Sequence, residues 1–346
     1  MRTTRMLVER GVRHISKDLA WKLWFESAQI EERNGQLARS RAAYVKSVAA
    51  CAANLRWKVW LGGARTELCH GEFATSQSLL ERAYDESPPK TRAIVMLEQS
   101  RLHELRGEAE SARKLLKSAR KTNRQEWKVF LESVLLEVRS QCVDKALREA
   151  RRALDVHRGT GRLWAVLIQL EHAQGVSQQL RVFQKALLEV PKSGEVWCEG
   201  ARICLNPYSG CFNVEAAQNF LEFAIEFTPQ YGDSFIEYLR LQMLVGGKSH
   251  NSGADVERLW KLCINAEPNY GTLWFHCKSS MLYTTRQVLE CATTMLEREM
   301  KEWRCARDSS VIAIRDSSVI SIRDSSIVIS VHDSSVISVR DSSIVV

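Results

Sequence analysis

Paired carboxylates are the first chemistry to look for, because two of them facing one gap can act as general acid and general base. Glu31, Glu67, Glu104 and Glu137 form a regular acidic series in the sequence. They lie about one repeat length apart, one per unit, so the spacing favours a structural role: bonding backbone or a neighbouring arginine within a stack. A metal centre needs clustered His and Cys. The 8 His are scattered, and Cys69-His70 is the one adjacent pair. Its apolar neighbours favour ordinary packing. No G-x-x-x-x-G-K-[ST] or G-x-G-x-x-G phosphate loop occurs, and no G-x-S-x-G elbow. The expectation is therefore no catalytic, cofactor-binding or metal-binding residue, and no cofactor. Basic residues are the remaining candidates, concentrated in Arg113 to Arg124 and Arg148 to Arg162. The first segment is the better candidate for an anionic contact, although the aromatic platforms typical of single-strand binders are missing there. Phosphates of RNA, an acidic protein face and a plain solvated face are the three readings.

Composition narrows the elements that can carry these residues. Of 346 residues, 45% are hydrophobic and 26% charged, a normal globular balance that excludes wholesale disorder. Only 17 Gly and 6 Pro leave little material for many tight hairpins, which argues against a sandwich or barrel. No apolar run reaches the roughly 18–20 residues that span a bilayer, and the N-terminus lacks an apolar signal core. Net charge is +8 and reads as spread along the chain, permitting an acidic partner. The 10 Cys include no C-x-x-C pair; several, such as Cys263 and Cys291, stand among apolar residues at helical spacing. They read as small hydrophobes of a reduced, intracellular protein.

The 10 Trp reveal the organisation. Trp21, Trp57, Ile94, Trp127, Trp164, Trp197, Phe235 and Trp274 recur at a period of about 36 residues, as in solenoids of helix pairs. Three places on stands a second bulky residue (Trp24, Trp60, Leu97, Phe130, Leu167); seven on from the first two anchors stand Ala28 and Ala64; ten on from the first four stands the glutamate. These spacings share one face of an α-helix. Gly35, Gly71 and Gly107 then suit a left-handed helix end. A second amphipathic stretch follows, in which a large residue precedes a small one, as in Leu80 and Ala83 or Leu116 and Ala119. Ala83, Ala186, Ala224 and Cys263 are each followed five residues later by Pro88, Pro191, Pro229 and Pro268, and six residues after each proline comes the next anchor. Proline cannot continue the helix that ends there. Ile94 is the misfit, a unit without an aromatic anchor.

From Arg307 the composition changes. Arg307-Asp308-Ser309-Ser310-Val311-Ile312 recurs with small variations to the C-terminus. The readings are a short stack of strands or hairpins, a binding tail phosphorylated on its serines, or an expanded tandem repeat translated into protein; none assigns it a function.

The Trp-x-x-(aromatic or Leu) opening, the later glutamate and the small residue before proline resemble half-a-TPR (HAT) repeats over residues 8 to 302. Ala38-Arg39 and Ala112-Arg113 resemble the Ala-Arg that starts the second helix of that motif. Pro191 to Trp197, Gly232 to Phe235 and Asn265 to Trp274 are similar to the C-terminal repeats of the pre-mRNA-processing factor 6 (Prp6-like) family. Two segments depart from the pattern: the Pro/Gly/Cys-rich insertion Asn206 to Asn213 and the longer joint Gly246 to Gly253. The resemblance implies an all-α right-handed superhelix of about eight HAT/TPR-like helix pairs in residues 1–306, with a low-complexity tail at 307–346. It implies a non-catalytic, nuclear protein–protein scaffold in RNA processing, pre-mRNA splicing first, whose partners are components of a ribonucleoprotein particle, with direct RNA contact open and neither membrane nor small-molecule substrate. The first helices would line the concave binding surface. The alternatives are a HAT scaffold in ribosomal RNA maturation or mRNA 3′-end processing, or a generic TPR adaptor or co-chaperone, although no carboxylate clamp of converging Lys, Asn and Arg is legible. The first unit has no obvious polar cap and the last is short, which suggests a fragment of a longer array.

Overall fold

The computed structural model describes residues 2–206, 210–245, 252–278, 283–314, 327–331 and 337–341. After α1 (Arg2–His14), helices come in pairs, each opened at an expected anchor. They are α2 (Ala20–Arg33) with α3 (Leu37–Ala50), α4 (Arg56–Cys69) with α5 (Phe73–Glu86), α6 (Arg92–Leu105) with α7 (Ala109–Thr122), and α8 (Trp127–Arg139) with α9 (Val143–Val156). There follow α10 (Gly161–Leu170), then α11 (Val176–Glu189), and the pairs α12 (Gly194–Leu205) with α13 (Val214–Phe227), α14 (Gly232–Val245) with α15 (Ser252–Ala266), and α16 (Thr272–Cys277) with α17 (Thr285–Ile314). The all-α fold of HAT/TPR-like helix pairs is the one the sequence implies. The chain forms two compact units, Met1–Gln179 with Lys278–Thr284, and Leu180–Cys277 with Thr285–Val346.

In the first unit each pair leaves an apolar stripe that the next first helix covers. Trp21, Ala28, Ala43 and Tyr44 of α2 and α3 pack with Val59 of α4. Trp57, Leu61, Leu80 and Ala83 pack with Val95 and Leu102 of α6. Met96, Ala112, Leu116 and Ala119 pack with Val129 and Leu136 of α8. No pair closes its core alone, which is the energetic logic of a repeat array. The first helices of three pairs end as expected, with Gly35, Gly71 and Gly107 at φ +70, +78 and +80. The next amide closes the turn on the carbonyl five residues back, as Gln36 N to Glu31 O (2.9 Å) and Glu72 N to Glu67 O (2.9 Å). The fourth pair uses the same turn without glycine: Gln141 sits at φ 58, and Cys142 N reaches Glu137 O at 2.9 Å.

This turn corrects two registers. In the third pair Glu108 N closes on His103 O (2.8 Å), so His103, not Glu104, occupies the place of Glu31, Glu67 and Glu137. Counting back, the anchor place belongs to Ala93, fully buried, rather than to half-buried Ile94. The misfit unit therefore has an alanine where its neighbours have tryptophan. Likewise, the fourth residue of the second helix is a fully buried small residue in four pairs (Ser40, Ser76, Ala112, Ala146). The counterpart of Ala112-Arg113 is thus Ser40-Arg41; Ala38-Arg39 is exposed.

In the second unit Trp197 is 2% exposed, with Phe183, Phe220 and Phe223 around it at centroid distances of 6.0, 5.3 and 5.1 Å. Its indole N–H donates to the Pro191 carbonyl at 2.7 Å. The proline register reports helix ends: α11, α13 and α15 stop at Glu189, Phe227 and Ala266, each two residues before its proline, as α5 stops at Glu86 before Pro88. Trp274 lies flat on Gly232, where any Cβ would strike the indole. Asp233 beside it, fully buried, caps α16 by accepting from Trp274 N (2.9 Å) and Thr272 N (3.1 Å).

The insertion after Asn206 closes with Asn213 N donating to Cys204 O at 3.0 Å; its residues 207–209, and 246–251 of the second long joint, lie outside the described residues. The final helix α17 passes Arg307 and ends at Ile314. Beyond it, β1 (Ile327–Val331) and β2 (Ile337–Asp341) pair antiparallel with Ile329 opposite Val339, in line with the hairpin reading; the rest of the tail lies outside the described residues.

Candidate interaction face

The glutamates singled out by spacing are held by arginine. Glu31, Glu67 and Glu137, at most 7% exposed, lie near the ends of α2, α4 and α8. Each receives a bidentate guanidinium from the preceding second-type helix: Arg5 of α1 at 2.5 and 2.8 Å, Arg41 of α3 at 2.8 and 2.6 Å, and Arg113 of α7 at 2.8 and 2.9 Å. Arg5, Arg41 and Arg113 share one register, so α1 occupies the place of a second helix. In the pair where His103 replaces the glutamate, Gln77 stands in the arginine's register, and both sides of the ion pair are exchanged together. His103 bonds instead to Glu108 at 2.7 Å, and Gln77 accepts from Arg106 at 2.8 Å. The Arg5 guanidinium holds the Glu31 carboxyl below the ordinary carboxylate range. These ion pairs join successive pairs of helices.

A second series escaped the spacing of the anchors. Along the first-type helices, Glu98 of α6 receives Arg65 of α4 (2.5 Å) and Arg101 of its own helix (3.1 Å). Arg101 also reaches Glu132 of α8 (2.7 Å), which in turn takes Arg139 (2.5 Å), and Arg139 returns to Glu104 (2.6 Å). Glu104 is therefore a partner within this ladder. The Glu98 and Glu132 side chains are only 3% and 5% exposed, whereas Arg65, Arg101 and Arg139 are about half-exposed. Burial pushes the Glu132 carboxyl up, but Arg101 and Arg139 together outweigh it and hold it below the usual range. The same device recurs in the second unit. Arg202 pairs with Glu199 of its own helix and with Glu237 (2.8 Å) and Asp233 (3.1 Å) of α14; Arg240 pairs with Glu237 (2.6 Å) and Glu299 (2.9 Å). The signal is an E-x-x-R on the first-type helix: Glu98 to Arg101, Glu199 to Arg202, Glu237 to Arg240. Residues at i and i+3 share a helix face. In the first unit the resulting surface has a floor of buried carboxylate under a row of half-exposed guanidinium groups, whose spare N–H donors suit backbone carbonyls or acidic side chains of a bound segment.

Two other expectations change. Cys69 is exposed at the end of α4, not packed among apolar residues, and His70 bonds the Thr66 carbonyl (2.8 Å). Among the described residues no His, Cys, Asp and Glu group is arranged to hold a metal ion. Buried cysteines such as Cys198 and Cys263 do pack as small apolar residues. Charge, moreover, is clustered rather than spread. Residues 109–162 hold fourteen Lys and Arg against seven Asp and Glu, a net +7, whereas residues 1–108 carry +5 and residues 163–346 carry −4.

The family model for the PRP6, TPR-like domain matches residues 1–293. The chain belongs to that family. A TPR-containing protein of Dictyostelium discoideum is 61% identical over 296 residues, covering 86% of this chain. The chain spans about a fifth of that relative's length, 22%. Solved structures similar to this PRP6-type chain include a tetratricopeptide repeat protein from Parabacteroides merdae, 14% identical, covering 79% of this chain and 98% of that one, TM-score 0.43. Another is from the APC/C hetero-tetramer Cut9-Hcn1, 13% identical, covering 75% of this chain and 46% of that one, TM-score 0.38. The chain is thus a TPR-type protein-interaction repeat domain, and none of its described helices is long and apolar enough to cross a membrane.

Proposed function

We propose that this chain is a non-catalytic scaffold in nuclear RNA processing, pre-mRNA splicing first, that grips protein components of a ribonucleoprotein particle. The observation that carries the reading is the PRP6 TPR-like match over residues 1–293. The arginine-topped ladder of α4, α6 and α8 supports it by supplying a surface suited to an extended or helical peptide with acidic or carbonyl acceptors. No carboxylate of the ladder stands ready as a base, since each is held in ion pairs with arginine. Residues 1–306 form the repeat domain in this reading and 307–346 the low-complexity tail. Tagged chain purified from nuclear extract, with and without RNase, tests the assignment. Splicing proteins and small nuclear RNAs should co-purify, the proteins persisting after RNase. Recovery of chaperones or vesicle coats alone would replace it with a generic adaptor.

A further inference from the structure

The concentration of positive charge in residues 109–162 has a specific placement in the first unit. On α7, Ala112, Leu116 and Ala119 face the core with at most 1% exposure, and Lys114, Lys117 and Lys121 stand on the opposite, exposed side at i, i+3 and i+7. On α9, Ala146, Ala150 and Ala153 are buried, and Lys145, Arg148 and Arg152 repeat the same spacing on the exposed side. Arg120 of α7 pairs with Glu149 of α9, which also takes Arg152 (3.1 Å), so the two rows are tied side by side.

What distinguishes this face is how its acids are used. Glu110 and Glu137 pair with Arg113, Glu149 with Arg120 and Arg152, and Glu132 belongs to the ladder. The arginines are thus largely neutralised inside the fold. Among the described residues none forms a salt bridge with Lys114, Lys117, Lys121, Lys145 or Arg148. By contrast, α13 in the second unit exposes Glu215, Glu222 and Glu226 and carries no cation. Lys114, Lys117 and Lys121 in one exposed row, beside Lys145 and Arg148 in the next, with no acid paired to them, are a phosphate-binding arrangement. Protein interfaces need an apolar centre and are depleted in lysine. No large apolar side chain on α7 is exposed and α9 exposes only Val143 at its start, so the face offers charge without a central apolar anchor.

We propose that the outer face of α7 and α9 binds the phosphate backbone of a nucleic acid, RNA in the setting of an RNA-processing scaffold, without reading its sequence. Contact by exposed point charges predicts affinity that is strongly salt-dependent and indifferent to base composition. The binding stands on this face's charge alone and does not depend on the protein partners of the scaffold.

Fluorescence anisotropy of the full chain with labelled 20-nucleotide RNAs of different base composition provides the test, over salt from about 50 to 200 mM. The chain should bind each RNA comparably. Lys114→Gln/Lys117→Gln/Lys121→Gln should weaken binding at least tenfold at the low-salt end and flatten the slope of log affinity against log salt by about 2, three phosphates at roughly 0.7 each. Lys145→Gln/Arg148→Gln is the second variant, read alone should the triple one lose its helical circular dichroism. Arg10→Gln/Arg13→Gln/Lys17→Gln removes the same charge from exposed sites near α1 and should leave binding within twofold. Absence of saturable RNA binding at low salt, an equal loss in the control variant, or tighter binding of polyglutamate than of RNA would each overturn the proposal. The set of proteins retained after RNase tests the scaffold reading separately.

Discussion

Trp197 shows how much one side chain contributes when its ring and its N–H are both used. Trp197→Ala should cost about 3–5 kcal/mol by removing the contacts with three phenylalanines and leaving a cavity, read as a lower urea midpoint. A loss under about 1 kcal/mol would mean the core lies elsewhere. Gln141 presents the opposite case: a non-glycine residue in the turn that three neighbours build with glycine. Left-handed backbone costs a residue with a Cβ about 1–2 kcal/mol, so Gln141→Gly should raise stability by about 1 kcal/mol in the same titration. The anchors, the glycines and the prolines were all legible in the sequence because each is a residue type with one dominant backbone or packing reason. The off-by-one at Ile94 was not, because a bulky residue one place along hid the true anchor, Ala93, whose small side chain gives no signal.

Between elements, the ladder makes the helices interdependent. Arg101→Gln removes one cation from two buried carboxylates and should cost about 1–3 kcal/mol, moderated by the remaining Arg65 and Arg139 and by the arginine's exposure. The Arg101→Gln/Glu132→Gln double variant should lose less than the sum of the singles. Acid should act in the same direction. The folded Glu31 and Glu132 carboxyls lie below their unfolded values, so their contribution is complete above the unfolded value of about 4.3 and is lost as pH falls through the folded one. The urea midpoint should drop as pH falls below the unfolded value, and Arg101→Gln should shrink that drop. The E-x-x-R pattern was present in the sequence but looked like ordinary solvated helix charge; only the neighbouring helix, about 30 residues away in sequence, turns it into a buried pair.

Across the chain, stability should follow neighbours rather than a single global transition. Hydrogen exchange on Trp197→Ala should rise in α12, α13 and α14 while amides of α2 to α5 keep their protection; a uniform rise would mean one all-or-none cooperative block. Period and helix pairing were readable because apolar spacing alone encodes them. The clustering of charge was equally readable and was obscured by averaging over 346 residues.

Glu98 and Glu132 of the ladder are each answered partly by their own helix and partly by the one beside it. Deleting or duplicating a single hairpin during evolution therefore breaks the phase: an acid is stranded at one seam and a base at the other. Growth or shortening of such an array is tolerated where the exchanged block starts and stops at equivalent rungs.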